Sequence, residues 1–309
     1  MKFICFGSLN IDHVYAVNDF VKAGMTVSST GYTRNAGGKG LNQTVALAKA
    51  KSNKSGINGI YMAGKISRDG EFLVDILKES GVNCDYVMVD EHAPTGHAVI
   101  QVNNQGENCI IVYPGANALV TNEEVDKILA NFDAGDYLFL QNEINATEYL
   151  IRAAHEKQLI TVLTPSPFSK ELVESPVLSI VDWIVLNETE IQFITGEKYP
   201  AKAIKKMAKT YPQAKILLTL GENGSRCFDG NETIDCIAYS VAHTVDTTCA
   251  GDTYTGFFFA NLCEGTSVYT AMKRASLAAG ITVSRAGAAA SIPSAEELES
   301  FLNEFHSGV

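Results

Sequence analysis

The residues best placed to do chemistry stand in "VDTTCAGDTYTGFFFANL", residues 245–262. Cys249, Ala250 and Gly251 are small enough for a tight backbone turn, and the run that follows is apolar almost throughout, as in a buried helix. The first-turn N–H groups of such a helix lack intrahelical partners and sit at its positive end, which suits an anion such as phosphate. Asp252 falls in that same turn. A carboxylate there, ionised at neutral pH, could accept the proton of a hydroxyl that attacks a phosphoryl group. The same Thr and Asp residues would also serve as a plain capping device.

Three further stretches offer polar groups in compact patterns. "NAGGKGLNQT" (35–44) is a glycine turn feeding a helix, with Lys39 and Asn42 on it. No Ser or Thr follows Lys39, so it is not a Walker A loop. Gln43 stands where a dinucleotide fingerprint needs its third glycine, which argues against a nicotinamide enzyme. In "GSLNID" (7–12), Asn10 and Asp12 lie two apart in an extended segment and point the same way. One amide and one carboxylate match the vicinal diol of a sugar. In "NETE" (187–190), Asn187 and Glu190 share a helix face. Glu190 could hold a hydrated magnesium ion, or the pair could form a capping box.

These groups need a scaffold, and the chain alternates short apolar runs with amphipathic stretches: "KFICFG" then "LNQTVALAKA", "DYLFLQ" then "TEYLIRAAHEKQ". Longer helical stretches are expected at 250–263, 267–285 and 295–306. The pattern predicts an α/β fold, a mostly parallel sheet with helices on both faces. Strand ends carry Ser8, Asn142, Glu143, Asn187 and Gly221, and ligands of open α/β sheets bind beyond such ends. Residues 94–114 read as a hairpin turning at "NNQG", and 13–34 as short extended pieces. Both strand faces of the hairpin are apolar, as suits a lid that also packs on a partner subunit.

Composition sets the outer limits. Of 309 residues, 46% are hydrophobic and 19% charged, with net charge −11. That balance disfavours nucleic acid and anionic membranes as partners. No run is long enough to span a bilayer, and the opening "MKFICFGSLNID" does not read as a signal peptide. Seven scattered cysteines without a CxxC pair suggest reduced thiols in the cytoplasm. Six histidines lack metal-ligand spacing, so no zinc site is expected. A thiol at a helix start, Cys249, is expected to have a lowered pKa and to react readily, with a buried, inert cysteine as the alternative.

In this order and at these distances the stretches resemble the ribokinase family of carbohydrate kinases, the phosphofructokinase-B superfamily. "DTTCAGD" and "GGKGLNQT" look like its two hallmarks, and "GSLNID", "PTGHAVIQVNNQGEN", "PGAN", "NETE" and "TLGENG" extend the likeness along the chain. The resemblance implies a Rossmann-like core of residues 1–12, 35–93 and 115–309, with a β lid of 13–34 and 94–114 through which a homodimer forms. It implies Asp252 as catalytic base and an anion hole of Cys249, Ala250 and Gly251 amides. Asn10, Asp12, Gly38, Lys39, Asn42, Glu143 and Asp252 would bind sugar. Asn187, Thr219, Gly221, Gly224 and Gly251 would lie along ATP, with Ser276 near the adenine. Glu190 would reach Mg2+ through water, and Asp246, Thr248, Arg285, Gly287 and Ser291 would hold a monovalent cation, K+. The expected reaction is phosphorylation of the 5-hydroxyl of D-ribose. Another sugar or a nucleoside is the alternative substrate, and a catalytically silent sugar sensor the alternative class.

Overall fold

The central strands are apolar on both faces, so they need cover on two sides. The computed structural model describes residues 1–52, 56–239 and 243–307. In chain order the first elements are β1 (Lys2–Phe6), β2 (Asn10–Ala16), β3 (Gly31–Gly37), α1 (Lys39–Ala50) and β4 (Gly59–Ile66). Then come α2 (Glu71–Glu79), β5 (Asn83–Val89), β6 (Gly96–Val102), β7 (Asn108–Tyr113), α3 (Asn122–Leu129) and β8 (Tyr137–Gln141). The middle of the chain forms α4 (Thr147–Glu156), β9 (Ile160–Thr164), α5 (Lys170–Glu174), β10 (Trp183–Asn187), α6 (Glu188–Thr195) and α7 (Pro200–Thr210). It ends with β11 (Lys215–Thr219), β12 (Ser225–Phe228), β13 (Thr233–Cys236), α8 (Ala250–Cys263), α9 (Val268–Val283) and α10 (Ala295–Ser307).

Nine strands form one sheet in the order β13-β12-β11-β10-β9-β8-β1-β4-β5. Its pairs are parallel from β5 to β11, and β12 and β13 add antiparallel at one edge. Alternating side chains feed two cores. Phe3, Cys5 and Phe139 lie with α1, α8 and α9, while Ile4, Phe6, Leu138 and Leu140 lie with α3, α4, α6 and α7. This doubly wound α/β arrangement is the one expected from the alternation of runs. A second sheet, β3-β2-β6-β7, stands apart from it. The 94–114 hairpin forms as expected, turning between Val102 and Asn108. Of 13–34 only the ends are strand, in β2 and β3.

Helix α8 matches its expected bounds and is buried on all sides. Phe259 meets Phe139 edge-on at 5.3 Å between ring centroids, and Trp183 meets Phe258 at 5.6 Å. Such T-shaped pairs add about 0.5–1.5 kcal/mol each beyond burial. Gly256 lets α8 lie directly on α1: a Cβ there would overlap Ala46. Between β13 and α8, residues 240–242 lie outside the described residues, and the flanking residues 237–239 and 243–245 carry no strand.

Candidate active site

Strand order reverses around β1, which has β4 on one side and β8 on the other. Ligands of doubly wound sheets bind beyond the strand ends at such a switch point. Here β1 runs into Ser8 and β8 into Glu143, and these residues meet. The Glu143 carboxylate accepts from Ser8 Oγ, and the same oxygen accepts from Lys39 N at 3.0 Å. Gly38, at φ +92°, turns the chain into α1 beside the backbone of Ser8 and Asn10. Asn10 is buried, and its Oδ1 accepts from Asn117 Nδ2 at 2.8 Å. Burial, followed by the nearby Glu143 charge, pushes the Asp12 carboxyl up to about 7. Asn10, Asp12, Gly38, Lys39 and Glu143 are therefore gathered at one end of α1.

The next turn of α1 connects this cluster to Asp252. Asn42 Nδ2 reaches Asp252 Oδ2 at 3.5 Å, and Gln43 Nε2 donates to Asp252 Oδ1 at 3.0 Å. Burial raises the Asp252 pKa, and Lys39, Gln43 and Asn42 act against that rise. Lys39 is raised in turn, first by Asp252, with Glu143 and Glu190 adding to it and burial opposing. A carboxylate with its charge opposed by burial and supported by one ammonium and two amides is a proton acceptor held ready.

Two adjoining cavities open from this point. One, of about 520 Å³, is lined by Lys39, Gln43, Asn187, Glu190, Gly251 and Asp252 among others. The other, of about 590 Å³, runs along Gly224, Tyr239, Tyr254, Ser276 and Gly280. Thr219, Gly221 and Gly251 line both. A Cβ on Gly251 would meet no protein atom within 4 Å, so the start of α8 is not plugged. Ser276 Oγ accepts from Tyr239 N at 2.8 Å at the far end. The expected phosphate-side and adenine-side residues thus share one continuous trough, next to the sugar-side cluster.

One expectation changes, and one open reading is answered in part. Cys249 does not have a lowered pKa: burial, and then the Asp252 charge, push its thiol well above the ordinary value. The favourable field of the helix start is outweighed because the thiolate would sit out of water beside a carboxylate. Its φ of +68° is the left-handed region, uncommon for a residue with a Cβ. Glu190, read as either a metal contact or a cap, does cap: it accepts from Asn187 N at 2.9 Å while Asn187 Oδ1 accepts from Glu190 N at 2.8 Å. That uses Oε2 and leaves the residue lining the cavity.

The loops after β13 and α9 come together as well. Asp246 accepts from Thr248 N at 2.9 Å and from Gly287 N at 3.2 Å. The Arg285 guanidinium turns away to Glu297, and Ser291 Oγ donates to Ala288 O at 2.7 Å. Among the described residues no group of three or more His, Cys, Asp or Glu is spaced to hold a metal, and no helix is long and apolar enough to cross a membrane. Sequence reading missed Asn117 and Gln141, and it noted Ser8 only as a polar strand end. Gln43 it noted only as a departure from a glycine pattern.

Comparison with known proteins agrees with this geometry. The chain is 31% identical to ribokinase of Staphylococcus aureus (strain COL), over 96% of this chain and 98% of that protein. It is 28% identical to deoxyribokinase of Salmonella typhi, over 98% and 99%. The structure of Arabidopsis thaliana ribokinase complexed with ribose and ATP superposes with a TM-score of 0.83 at 28% identity, covering 97% of this chain and 98% of that one. Residues 1–295 match the family described as pfkB family carbohydrate kinase. With the switch-point cluster, the buried aspartate and the open helix start all in place, the chain belongs to the pfkB family of carbohydrate kinases.

Proposed function

We propose that the protein transfers the γ-phosphoryl group of ATP to the 5-hydroxyl of D-ribose. One observation carries the reading: Asp252 is buried at the open start of α8, between the trough and the sugar-side cluster, and is held by Asn42 and Gln43. Asp252 takes the proton of the primary hydroxyl, the freed oxygen attacks the γ-phosphorus, and the bond to the ADP oxygen breaks. Amides at Cys249, Ala250 and Gly251 oppose the charge that develops on the transferred group. Asn10, Asp12, Asn42 and Glu143 take the sugar hydroxyls. Asn187, Thr219, Gly221 and Gly224 flank the nucleotide, with Ser276 at the adenine end.

A single carboxylate suits Mg2+, which keeps most of its waters. Glu190 would hold it through water, and the ion would neutralise polyphosphate charge. Asp246, with oxygens of Thr248, Arg285, Gly287 and Ser291, would hold K+ and fix the loop before α8. The small sheet acts as a lid over the sugar and as the seam of a homodimer. In support, Ile110, Ile111, Val112 and Tyr113 on β7 are all about half exposed or more. The likeness to a deoxyribokinase favours 2-deoxyribose as the second candidate acceptor.

An ADP-release assay over pentoses, 2-deoxyribose, hexoses and nucleosides, with and without potassium, tests the substrate. Ribose is expected to have the highest kcat/KM; clear turnover of another acceptor without ribose turnover refutes it. Asp252→Asn is expected to lose about 10³-fold or more in kcat while still binding sugar. An unchanged rate would refute Asp252 as the base, and absence of turnover by the parent with every acceptor would leave a sugar sensor.

A further inference from the structure

Behind Asp252 lies a row of buried amides that no step above uses. Gln43, 1% exposed, places its Nε2 3.0 Å from Asp252 Oδ1 and 3.2 Å from Thr164 Oγ1. Its Oε1 accepts from Gln141 Nε2 at 2.7 Å, and Gln141 is fully buried. Gln141 in turn lies against Cys5 Sγ, 3.5 Å from Nε2. An amide has one donating and one accepting end, and an ionised carboxylate only accepts. Both hydrogens of Gln43 Nε2 are therefore spoken for, and its oxygen is fixed by Gln141. Turning the amide over would face Oε1 to the carboxylate and Nε2 to another NH2 group, leaving two buried clashes of like polarity.

From this arrangement we infer that Gln43, locked by Gln141, is a positioning residue for the base, tying down Oδ1 of Asp252 and reserving Oδ2 to take the acceptor proton. The contrast in distance supports that division: Oδ1 is held at 3.0 Å, whereas among the described residues Oδ2 has only the 3.5 Å hydrogen bond of Asn42. Holding one oxygen also fixes the carboxylate plane, so the proton-accepting lone pair meets the hydroxyl without a search. The inference rests on Asp252 being the base.

Charged and titratable groups near Asp252 are few. Lys39 approaches from α1, with Glu143 and Glu190 acting on that ammonium. Cys249 approaches from the segment before α8 and Cys5 from β1. Burial pushes Cys5 up to about 11 and Cys249 well above its ordinary value, so both thiols stay neutral through the working range. Loss of the Gln43 donor then acts on Asp252 without a competing titration from either thiol.

The test compares pH profiles of kcat for the whole protein, the parent and Gln43→Met, which keeps length and removes the donor. The acid limb is expected to move up by about one pH unit, so that kcat on that limb is down about 10-fold at a given pH, with both KM values within about threefold. A folded Gln43→Met variant with the parent profile overturns the inference. So does a loss confined to thermal stability or to KM. If Gln43→Met does not fold, Gln141→Met carries the test, because it releases the lock and leaves Gln43 in place. The same direction with a smaller displacement is expected, and an unmoved limb overturns the inference. Asp252→Asn separates the two readings: if it keeps the parent rate, both fail, whereas if it is inactive and the glutamine variants keep the parent profile, only the positioning role fails.

Discussion

Sugar affinity should depend on pH through Asp12. Its carboxyl is lifted from 3.8 to about 7 by burial and by Glu143. Only the ionised form accepts two hydroxyl hydrogens; the protonated form gives up an acceptor site and carries a hydrogen of its own. If the ionised form is the one that binds, affinity is level above about pH 8 and falls about tenfold per pH unit below 7. Titration calorimetry at pH 5.5–8.5 and constant ionic strength, using the best acceptor sugar, measures this directly. Stability has the opposite sign. The folded carboxyl holds its proton more tightly than the unfolded one, so its contribution is greatest at low pH and is lost as pH rises through about 7. Asp12→Asn removes that loss, so the ligand-free variant should melt above the parent at pH 8 while binding sugar at least about 10-fold more weakly. Parent affinity that is flat between pH 5.5 and 8.5, or an Asn variant that melts no higher at pH 8, would refute the reasoning.

Other perturbations test separate parts of the molecule. A Cβ on Gly37 would overlap the Asp12 carboxylate, so Gly37→Ala should raise the sugar KM by about tenfold or more and leave the ATP KM close to the parent value in steady-state kinetics. Cys249 is buried with a raised pKa; iodoacetamide at pH 7.5 should therefore label it far more slowly in the native protein than in urea by mass spectrometry, and equally fast labelling in both would contradict its burial. Lys65 is buried against Glu124, Nζ to Oε1 2.8 Å, and also donates to Leu119 O at 2.7 Å. Glu124→Ala should lower urea-unfolding stability by about 3 kcal/mol, because it strands an ammonium beneath α3 and removes a capping box.

Much of the site could be read from local sequence because its signals are local. The small residues before the apolar run marked the start of α8 at Ala250, and "NNQG" marked the hairpin between β6 and β7. Asn10, Asp12, Lys39 and Asn42 were visible as polar groups in short motifs. What was not visible depends on partners far away in the chain. Gln43 and Gln141 are 98 residues apart and Ser8 and Glu143 135 apart, so no window joins them. The reactive reading of Cys249 failed for the same reason: the rule for helix starts assumes access to water, and only the packed structure shows how little the thiol has.

The crossing of α1 and α8 at Gly256 and Ala46 packs the two helices in direct contact as one unit, with no room for even a methyl group between them. Asp252 and its amide supports ride on that unit, whereas Asn10 and Asp12 sit on the small sheet. An engineer seeking a new acceptor alcohol should therefore randomise the strands of the small sheet and leave the helix crossing untouched. Substrate choice can drift there while the phosphoryl-handling machinery stays as it is.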